Sequence, residues 1–317
     1  MTGLERGDLP GVVAFGGGHG LAATLQALRR VTDRITAVVT VADDGGSSGR
    51  LRSEFDCLPP GDLRMALAAL CGDDSEGRLW ADALQSRFGG DGPLAGHALG
   101  NLLIAGLWQR GLEAVEGLDR VGRLLHAAGR VLPMSTEPLT LSGQILGHDP
   151  DQPHQLSTVS GQAQVAATPG QVVSVRLDPV DPPAHPAVIE AIGRADWLIF
   201  GPGSWFTSVV PHLLVPELAR AVVESPARRL VVLNLQPAGE TAGLTPSRHV
   251  EILSQHAPRL RLDAVIADPR FADDPGLRPQ VQALGAELTV APVGLADGSP
   301  RHDPLLLAAT LVRAMDL

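Results

Sequence analysis

The chain has 317 residues, of which 44% are apolar, 19% charged and 3% aromatic, as is usual for a globular protein that buries a substantial core. Its 25 basic and 35 acidic side chains give a net charge of −10, which disfavours extensive non-specific contact with nucleic acid or an anionic membrane. All 25 basic residues are arginine, so a Schiff-base lysine and the lysine of a Walker-type phosphate loop are excluded.

The cysteine content and the apolar stretches indicate a cytoplasmic protein. Cys57 and Cys71 form no CxxC pair, which excludes a disulfide framework and a thiolate zinc site, and the histidines show no metal-ligand spacing. The first residues include three charged side chains and no apolar segment, so we expect no secretory signal. The long uncharged stretch from Trp197 to Pro216 is interrupted by glycine and proline, so we expect no membrane span.

The first elements in the chain predict a βαβ unit. The apolar run at residues 11–15 is followed by the loop GGGHG and then by residues with helical spacing. A second run, residues 35–42, is rich in β-branched residues. Two buried strands joined by a helix indicate a parallel sheet.

The middle of the chain changes character twice. A polar loop, DDGGSSGRLR, is predicted at residues 43–52, and helical periods dominate from Asp62 to about Gly129. Between residues 131 and 179, the short stretches LTLSGQIL, AQVAAT and VVSVRL alternate with proline and glycine in the manner of hairpins. We therefore expect a small β-rich insert there.

Strands and helices alternate again from about residue 184 to the end of the chain. Asp303 before Pro304 predicts the N-cap of the last helix. Six or so parallel strands fit an α/β fold with a Rossmann-like, doubly wound sheet. No linker separates two units, so we expect a single domain over residues 1–317 that carries the insert.

Ligands of such sheets bind beyond the carboxyl ends of the strands, so the loops there are the candidate site. The loop GGGHG opens a helix, where backbone N–H groups and the helix dipole favour a phosphate; a tight turn is the structural alternative. The same stretch also fits the dinucleotide pattern GxGxxA, through Gly18, Gly20 and Ala23. The loop predicts a nucleotide without identifying it.

The second strand exit, ADDGGSSGRLR, combines carboxylates with small donors. Asp43 and Asp44 could hold Mg²⁺ against a diphosphate or bind a ribose hydroxyl, and Ser47 and Ser48 could donate to phosphate oxygens. A solvated surface turn is the alternative. Asp62 in PPGDLR either caps the helix that starts at Leu63 or takes part in function.

Three further segments carry candidate residues. GPGSWFTS follows a strand and repeats the glycine-to-helix pattern, and NLQPAGETAG follows the next strand, with a capped turn as its alternative. Asn101 lies in the glycine-rich helix GHALGNL, and Arg301 precedes the last helix. Two anion-ready loops indicate two anionic groups or one extended ligand.

Several long motifs, in order along the chain, resemble those of the YvcK family, also called the gluconeogenesis factor family. They are GGGHGL, TVADDGGSSGRLR, PPGDLRMALAAL, GHALGNL, GRVLPM, GPGSWFTSVVPHLLVP, NLQPAGETAG and RHDP. The resemblance is strongest to the actinobacterial CuvA-type members, and it extends to CofD, the 2-phospho-L-lactate transferase of deazaflavin cofactor synthesis. His19 departs from the threonine of many relatives, and the absence of tyrosine removes any ring contact made through that residue.

The resemblance implies a cytoplasmic, Rossmann-like protein that binds UDP-sugars, chiefly UDP-N-acetylglucosamine. It implies a regulator that supports cell shape and peptidoglycan precursor supply, notably on gluconeogenic carbon sources, through a protein partner. We expect a homodimer, no required cofactor and no resident metal, with Mg²⁺ left open as an additional ligand. The expected nucleotide- and phosphate-binding residues are Gly16, Gly17, Gly18, His19, Gly20, Asp43, Asp44, Gly45, Ser47, Ser48, Asn101, Gly201, Gly203, Ser204, Thr207, Asn234, Glu240, Thr241 and Arg301.

Two alternatives remain open at this point. The first is a magnesium-dependent, CofD-like transferase acting on a nucleotide diphosphate, with Asp44 and Asp62 as the catalytic candidates. The second is a nicotinamide-dependent oxidoreductase, which the GxGxxA pattern permits. We rank it last because the ADDGGSSGR exit does not resemble the single acidic residue that binds a ribose.

Overall fold

The computed structural model describes residues 9–237 and 239–317, and a parallel sheet of seven strands forms its centre. The spatial order of the strands is β10-β9-β8-β7-β1-β2-β3. In chain order they are β1 (Val12–Gly16), β2 (Ile35–Val39), β3 (Arg130–Pro133), β7 (Trp197–Phe200), β8 (Arg228–Val232), β9 (Ala264–Ala267) and β10 (Glu287–Val290). A separate antiparallel sheet, in the order β5-β4-β6, consists of β4 (Thr140–Leu146), β5 (Leu156–Ser160) and β6 (Gln171–Asp178).

Helices cover both faces of the parallel sheet. They are α1 (Gly18–Leu28), α2 (Gly46–Phe55), α3 (Pro60–Ala69), α4 (Ser75–Gln85), α5 (Leu99–Gln109), α6 (Ala114–Leu124), α7 (Gln162–Ala166), α8 (Pro186–Arg194), α9 (Pro211–Leu214), α10 (Pro216–Glu224), α11 (Pro246–His256), α12 (Leu277–Ala283) and α13 (Pro304–Ala314). A π-helical turn spans Trp205–Val209, and a 3₁₀ turn spans Gly239–Thr241. Among the described residues, no helix is long and apolar enough to cross a membrane.

Alternation along the strands divides the core into two layers. Val12 and Ala14 of β1 face a layer that contains α1, α3, α6 and α13, whereas Val13 and Phe15 face a layer with α8, α10, α11 and α12. The antiparallel sheet contributes Leu141 and Ile145 of β4 to the second layer. A sheet buried on both faces needs apolar residues at successive positions, which explains the continuous runs in the sequence.

The predicted α/β fold with a doubly wound parallel sheet and a small β-rich insert is confirmed. The antiparallel sheet occupies Thr140–Asp178, while the start of the predicted insert, residues 131–133, belongs to the edge strand β3. Asp303 caps α13 as predicted, because its carboxylate accepts from the N–H groups of Leu305 and Leu306.

Two local predictions were wrong, and one of the two alternatives for Asp62 is excluded. The expected polar loop at residues 43–52 contains the start of α2, in which Ser47, Ser48 and Leu51 are buried. AQVAAT forms most of α7 and no strand, because Ala and Gln favour helix and the Asp44 carboxylate accepts from the N–H of Ala163 at the helix start. Asp62 is not the N-cap of α3, since that helix already begins at Pro60.

Candidate functional site

The candidate site lies where the strand order reverses. β1 pairs with β2 on one side and with β7 on the other. The sheet continues from β2 to β3 in one direction and from β7 to β8, β9 and β10 in the opposite direction. The loops after β1 and β7 therefore diverge and leave a crevice at the carboxyl ends of the strands, which is where doubly wound sheets bind their ligands.

The two loops touch through a glycine. A Cβ at Gly20 would lie 2.1 Å from the carbonyl oxygen of Pro202 and 2.6 Å from the Cα of Gly203, both backbone atoms. The hydroxyl of Thr24 in α1 adds a hydrogen bond of 3.1 Å to the carbonyl oxygen of Gly201. Only glycine allows this approach, so the sequence GGGHG fixes the distance between the two loops.

Asn234, just after β8, holds the loop after β7 in place. Its Oδ1 accepts from the N–H of Gly203 at 2.8 Å, and its Nδ2 donates to the carbonyl oxygen of the same residue at 2.9 Å. The side-chain amide thus pairs with the backbone much as a neighbouring strand would. The predicted candidate Asn234 therefore positions Gly203 and also lines the crevice.

The crevice consists of two compartments that share His19, Gly20, Gly203 and Ser204, which we call the neck. The first, of about 380 Å³, is the apolar compartment; beyond the neck it is lined by Ala23, Gln26, Pro202, Asn234, Leu235, Gln236, Thr241, Leu295, Pro300, Arg301, His302 and Pro304. The second, of about 340 Å³, is the acidic compartment; beyond the neck it is lined by Gly17, Gly18, Asp43, Asp62, Gln162, Ala163, Ala166, Thr207 and Ser208.

Two carboxylates face the acidic compartment. Burial and the negative charge of Asp43 raise the pKa of Asp62 to about 7, against the lowering effect of the N–H of Gly18. A Cβ at Gly17 would lie 2.4 Å from Asp62 Oδ2, so the glycine loop packs directly on this carboxylate. Asp43 Oδ1 also accepts from the N–H of Gly45 at 2.9 Å. A group that is half protonated near neutral pH can accept or donate a proton.

The side chain of Glu240, from the 3₁₀ turn, contacts the start of the π-helical turn that follows β7. Its Oε1 accepts from the N–H of Phe206 at 2.8 Å and of Thr207 at 3.2 Å, while its buried Oε2 has no hydrogen-bond partner. Burial raises the pKa of Glu240 to about 7, although the N–H groups lower it. The GPGSWFTS motif predicts backbone N–H donors for a ligand. Two of these donors, the N–H groups of Phe206 and Thr207, instead donate to the carboxylate of Glu240.

Arg301 is the cation of the apolar compartment. Its side chain is 69% exposed, lies 3.5 Å from the carboxylate of Asp297 and donates weakly, at 3.4 Å, to Ser299. Partners this distant and this exposed hold a guanidinium loosely. Arg301 is therefore free to turn toward an anionic ligand at the neck.

The structure brings most of the predicted site residues together. The two compartments and the neck contain Gly17, Gly18, His19, Gly20, Asp43, Asp62, Gly203, Ser204, Thr207, Asn234, Thr241 and Arg301. Gly16 and Gly201 end the two strands beneath them. These residues are separated by up to about 280 positions in the chain, and most of them follow strands of the parallel sheet.

Other predicted residues lie outside both compartments. Asp44 turns toward the insert and accepts from the N–H of Ala163 at 3.0 Å. Ser47 is buried between His97 and Asn101, at 3.0 Å from a nitrogen of each side chain. Gly45 is the N-cap of α2, and Ser48 of that helix packs against Gly61 of α3. This second group of residues attaches α2, α5 and the insert to the rim of the crevice.

Sequence reasoning missed Gln162, Leu295 and Pro300, which line the crevice. Leu295 and Pro300 follow the last strand, so the rule that ligands bind at strand ends could have found them. Gln162 belongs to α7 of the antiparallel insert, and no local motif marks it. Its place in the acidic compartment depends on how the insert packs on the parallel sheet.

Other depressions lie at the amino ends of the strands. Two of them, of about 390 Å³ and about 560 Å³, are lined by parts of the chain near the starts of β1, β2 and β3. Three of their arginines are engaged in ion pairs, Arg34 with Asp196, Arg130 with Asp119 and Arg194 with Glu190. Within residues 9–237 and 239–317, no group of three or more His, Cys, Asp or Glu side chains is placed to hold a metal ion.

Fold and site together define a doubly wound α/β protein with a divided crevice at its topological switch point. The family model described as "2-phospho-L-lactate transferase CofD" matches residues 12–289. The chain is also 53% identical over 306 residues to a "Putative gluconeogenesis factor" of Mycobacterium tuberculosis, covering 95% of this chain and 89% of the relative. It is 39% identical over 246 residues to a "Gluconeogenesis factor" of Halalkalibacterium halodurans, covering 77% and 73%.

A solved structure agrees with these sequence relatives. A UPF0052 family protein of Bacillus halodurans superimposes with a TM-score of 0.83 at 33% identity, covering 98% of this chain and 100% of the other. The chain therefore belongs to the CofD family and, within it, to the gluconeogenesis factor proteins of the YvcK or UPF0052 type.

Proposed function

We propose that this protein is a cytoplasmic UDP-sugar sensor, with UDP-N-acetylglucosamine as its main ligand, that regulates peptidoglycan precursor supply and cell shape through a protein partner. The observation that carries the proposal is the divided crevice at the switch point. Its apolar compartment suits a nucleobase, its neck is built of glycine backbone beside Arg301, and its second compartment is polar. An extended ligand with an apolar end, an anionic middle and a polar end fits these three parts.

Two arguments support a nucleoside diphosphate in particular, and a third concerns the choice between a sensor and a catalyst. The neck presents backbone of Gly20 and Gly203, which lack side chains that would keep a phosphate away. Arg301 is exposed and weakly paired beside it, and a guanidinium binds phosphate oxygens in bidentate fashion. The relatives carry the name gluconeogenesis factor, which describes a physiological role and no reaction, and this favours a sensor over a catalyst.

Isothermal titration calorimetry tests the proposal directly. The purified protein is titrated with UDP-N-acetylglucosamine, GDP and NAD, each with and without Mg²⁺, and the ligand is then recovered and analysed. We expect saturable binding of UDP-N-acetylglucosamine without Mg²⁺ and recovery of the intact ligand. Failure to bind any UDP-sugar would reject the proposal, and a preference for NAD would favour an oxidoreductase.

Arg301→Ala gives the first prediction. Removing the guanidinium should weaken UDP-N-acetylglucosamine binding by about 1 to 3 kcal/mol, because a charge-assisted hydrogen bond to the diphosphate is lost. Arg313→Ala is the matched control, since Arg313 is exposed on α13 and lines neither compartment. Equal affinity of both variants and the wild type would leave Arg301 without a role in binding.

The second candidate function is a magnesium-dependent, CofD-like transferase. The observation that favours it is the pair of carboxylates, Asp43 and Asp62, in one compartment of a protein that matches the CofD model. Mg²⁺ binds through one or two carboxylates, retains several waters and draws its other ligands from phosphates, so this pair fits it. A ligand that binds only with Mg²⁺ and is recovered chemically changed would establish this function.

A further inference from the structure

The helix α13 is apolar on the side that faces solvent as well as on the side that faces the core. In the sequence of residues 304–314 the one charged side chain is Arg313, and the polar Thr310 is buried and donates to the carbonyl oxygen of Leu306 at 2.9 Å. Leu305 is 63% exposed and Leu306 is 41% exposed. A helix that is hydrophobic all round is normally buried, so we expect the outer side of α13 to be covered.

The exposed residues of α13 form one continuous face. Leu305, Ala309 and Val312 follow one another at the three- and four-residue spacing of a helix, and Leu306 and Arg313 flank this row. We call these five residues the α13 face; four of them are exposed and Val312 is half-buried. The opposite side of the helix packs into the core layer that contains α1.

Helix α6, in the same layer, shows the pattern that is usual for a surface helix. It exposes Glu116, Arg120 and Arg123 and buries Leu118 and Val121. Charged residues on the outer side need no partner, because water solvates them. The α13 face instead leaves leucine side chains in water, and a contact with another chain would remove that apolar surface from solvent.

The charges of α13 favour a second copy of the same chain as the partner. Arg313 lies near the carboxyl end and makes no ion pair in the part of the chain that the structure describes, whereas the carboxylate of Asp303 caps the amino end. Two helices that pack antiparallel with Ala309 at the centre bring these opposite charges together. A parallel pair would instead place Arg313 against Arg313.

The rise of the helix gives the register of the antiparallel pair. At roughly 1.5 Å per residue, Arg313 of one copy lies about 6 Å from the centre along the helix axis, and Asp303 of the other copy lies about 9 Å from it on the same side. An arginine side chain spans the difference of about 3 Å, and the two-fold axis repeats the contact at the other end. The small side chain of Ala309 allows the helices to approach to about 8 Å, the short end of the usual range.

We propose that the α13 face is a contact between two copies of this chain, packed antiparallel about a two-fold axis at Ala309. Leu305 and Leu306 of each copy pack against the helix of the other, and Arg313 pairs with Asp303 at both ends. With a net charge of −10 the two copies repel each other as a whole, but this face adds no further repulsion because its arginine meets a carboxylate. One helix face is smaller than a standard interface, so the dimer is weak and reversible.

Sedimentation equilibrium of the wild-type chain tests the contact. Between about 1 and 100 μM the weight-average mass should rise from the monomer mass of 33.1 kDa toward twice that value, as a micromolar Kd requires. Ala309→Glu sets two carboxylates against each other at the axis, so it should weaken the dimer by about ten-fold or more. Ala283→Glu is the matched control, because Ala283 is exposed on α12, which packs on the other face of the sheet, and the dimer should be unchanged.

Arg313→Glu tests the charge contact separately. The new carboxylate faces Asp303 of the other copy, so the dimer should weaken by about ten-fold. A monomer at all concentrations would overturn the inference and leave the α13 face to a different protein. A dimer that Ala309→Glu leaves intact would also overturn it, because the contact would then lie elsewhere.

Calorimetry with UDP-N-acetylglucosamine separates this inference from the proposed function. The residues that line both compartments of the crevice come from one chain, and Ala309 lines neither compartment. Ala309→Glu should therefore bind the ligand as the wild type does. Absence of binding by the wild type would reject the proposed function alone, and a large loss of affinity confined to Ala309→Glu would overturn a dimer contact that is independent of the crevice.

Discussion

Gly20 shows how one residue without a side chain can determine the shape of a site. Its Cα lies so close to Pro202 and Gly203 that an added Cβ would overlap backbone atoms, which cannot rotate away as a side chain can. In Gly20→Ala the loops after β1 and β7 must move apart. We expect destabilisation by about 1 to 3 kcal/mol and a loss of ligand affinity of about ten-fold or more, measured by urea unfolding and calorimetry.

The control for this substitution is Gly106→Ala. Gly106 is exposed inside α5, and a Cβ there would meet no atom within 4 Å. Alanine should stabilise the protein by about 0.5 to 1 kcal/mol, because it restricts the unfolded chain and favours helix. Unchanged affinity and stability in Gly20→Ala would contradict the contact between the loops.

Glu240 makes the stability of the protein depend on pH. Burial raises its pKa from 4.5 to about 7, so between these values the folded protein binds more protons than the unfolded chain. Its contribution to stability is therefore complete below about pH 4.5 and decreases as the pH rises through 7. Since each pKa unit corresponds to about 1.4 kcal/mol, the contribution reaches about 3 kcal/mol.

Glu240→Gln should remove this dependence. Glutamine keeps an oxygen that can accept from the N–H groups of Phe206 and Thr207, and it carries no charge at any pH. Unfolding by urea between about pH 5 and pH 8 should show a flatter profile and higher stability at the alkaline end for the variant. Parallel profiles for variant and wild type would show that Glu240 does not titrate in this range.

At the scale of the elements, the short helix α7 is attached to the parallel sheet by a few polar contacts. Asp44 accepts from the N–H of Ala163 at its start, and Gln162 donates to the carbonyl oxygen of Thr207. Asp44→Ala should loosen α7 without unfolding the sheet, because the core residues of the insert keep their contacts. Amide hydrogen exchange at residues 161–167 should accelerate by about ten-fold while that of α1 stays unchanged.

Glu54→Ala is the control for this experiment, because Glu54 is an exposed carboxylate on α2 that makes no hydrogen bond or ion pair with α7 in the part of the chain that the structure describes. Its exchange pattern should match that of the wild type. Unchanged exchange at α7 in Asp44→Ala would mean that apolar packing alone holds the helix. Faster exchange throughout α1 and α3 would mean that Asp44 stabilises the whole fold.

The elements that the sequence predicted correctly are those with a strong local pattern. β1 and β7 are continuous apolar runs that end at glycine, and β2 is rich in apolar and β-branched residues. A strand buried on both faces needs such runs. The sequence predicts a loop at α2 because its glycines and serines have low helix propensity, and its packing against α3 and α5 compensates for this. Local propensity could not show that packing.

The candidate site, like the fold, could be predicted where a local sequence pattern determines the position of a residue. Residues that directly follow a parallel strand, such as His19, Asp43 and Gly203, lie in the crevice because the sheet aligns all strand ends. Asp44 and Ser47 also follow a strand, but the turn and the start of α2 direct them away from it. Gln162 required knowledge of how the insert folds back, which is a long-range contact.

At the scale of the whole molecule, the reversal of strand order determines where the crevice lies, and the antiparallel insert contributes part of its lining. The two halves of the sheet supply one loop each to the neck, and α7 closes the far side of the acidic compartment. With a net charge of −10, the protein as a whole repels a nucleotide, so the proposed binding requires local features that attract one. Arg301 and the backbone of the neck are the features placed to do so.

A crystal structure of the complex with UDP-N-acetylglucosamine tests the central claim most directly. We expect the diphosphate at the neck, within hydrogen-bonding distance of the Gly20 N–H and of Arg301, and the sugar in the acidic compartment. A diphosphate bound at the amino ends of the strands, near Arg34 and Arg130, would contradict the assignment of the crevice as the binding site.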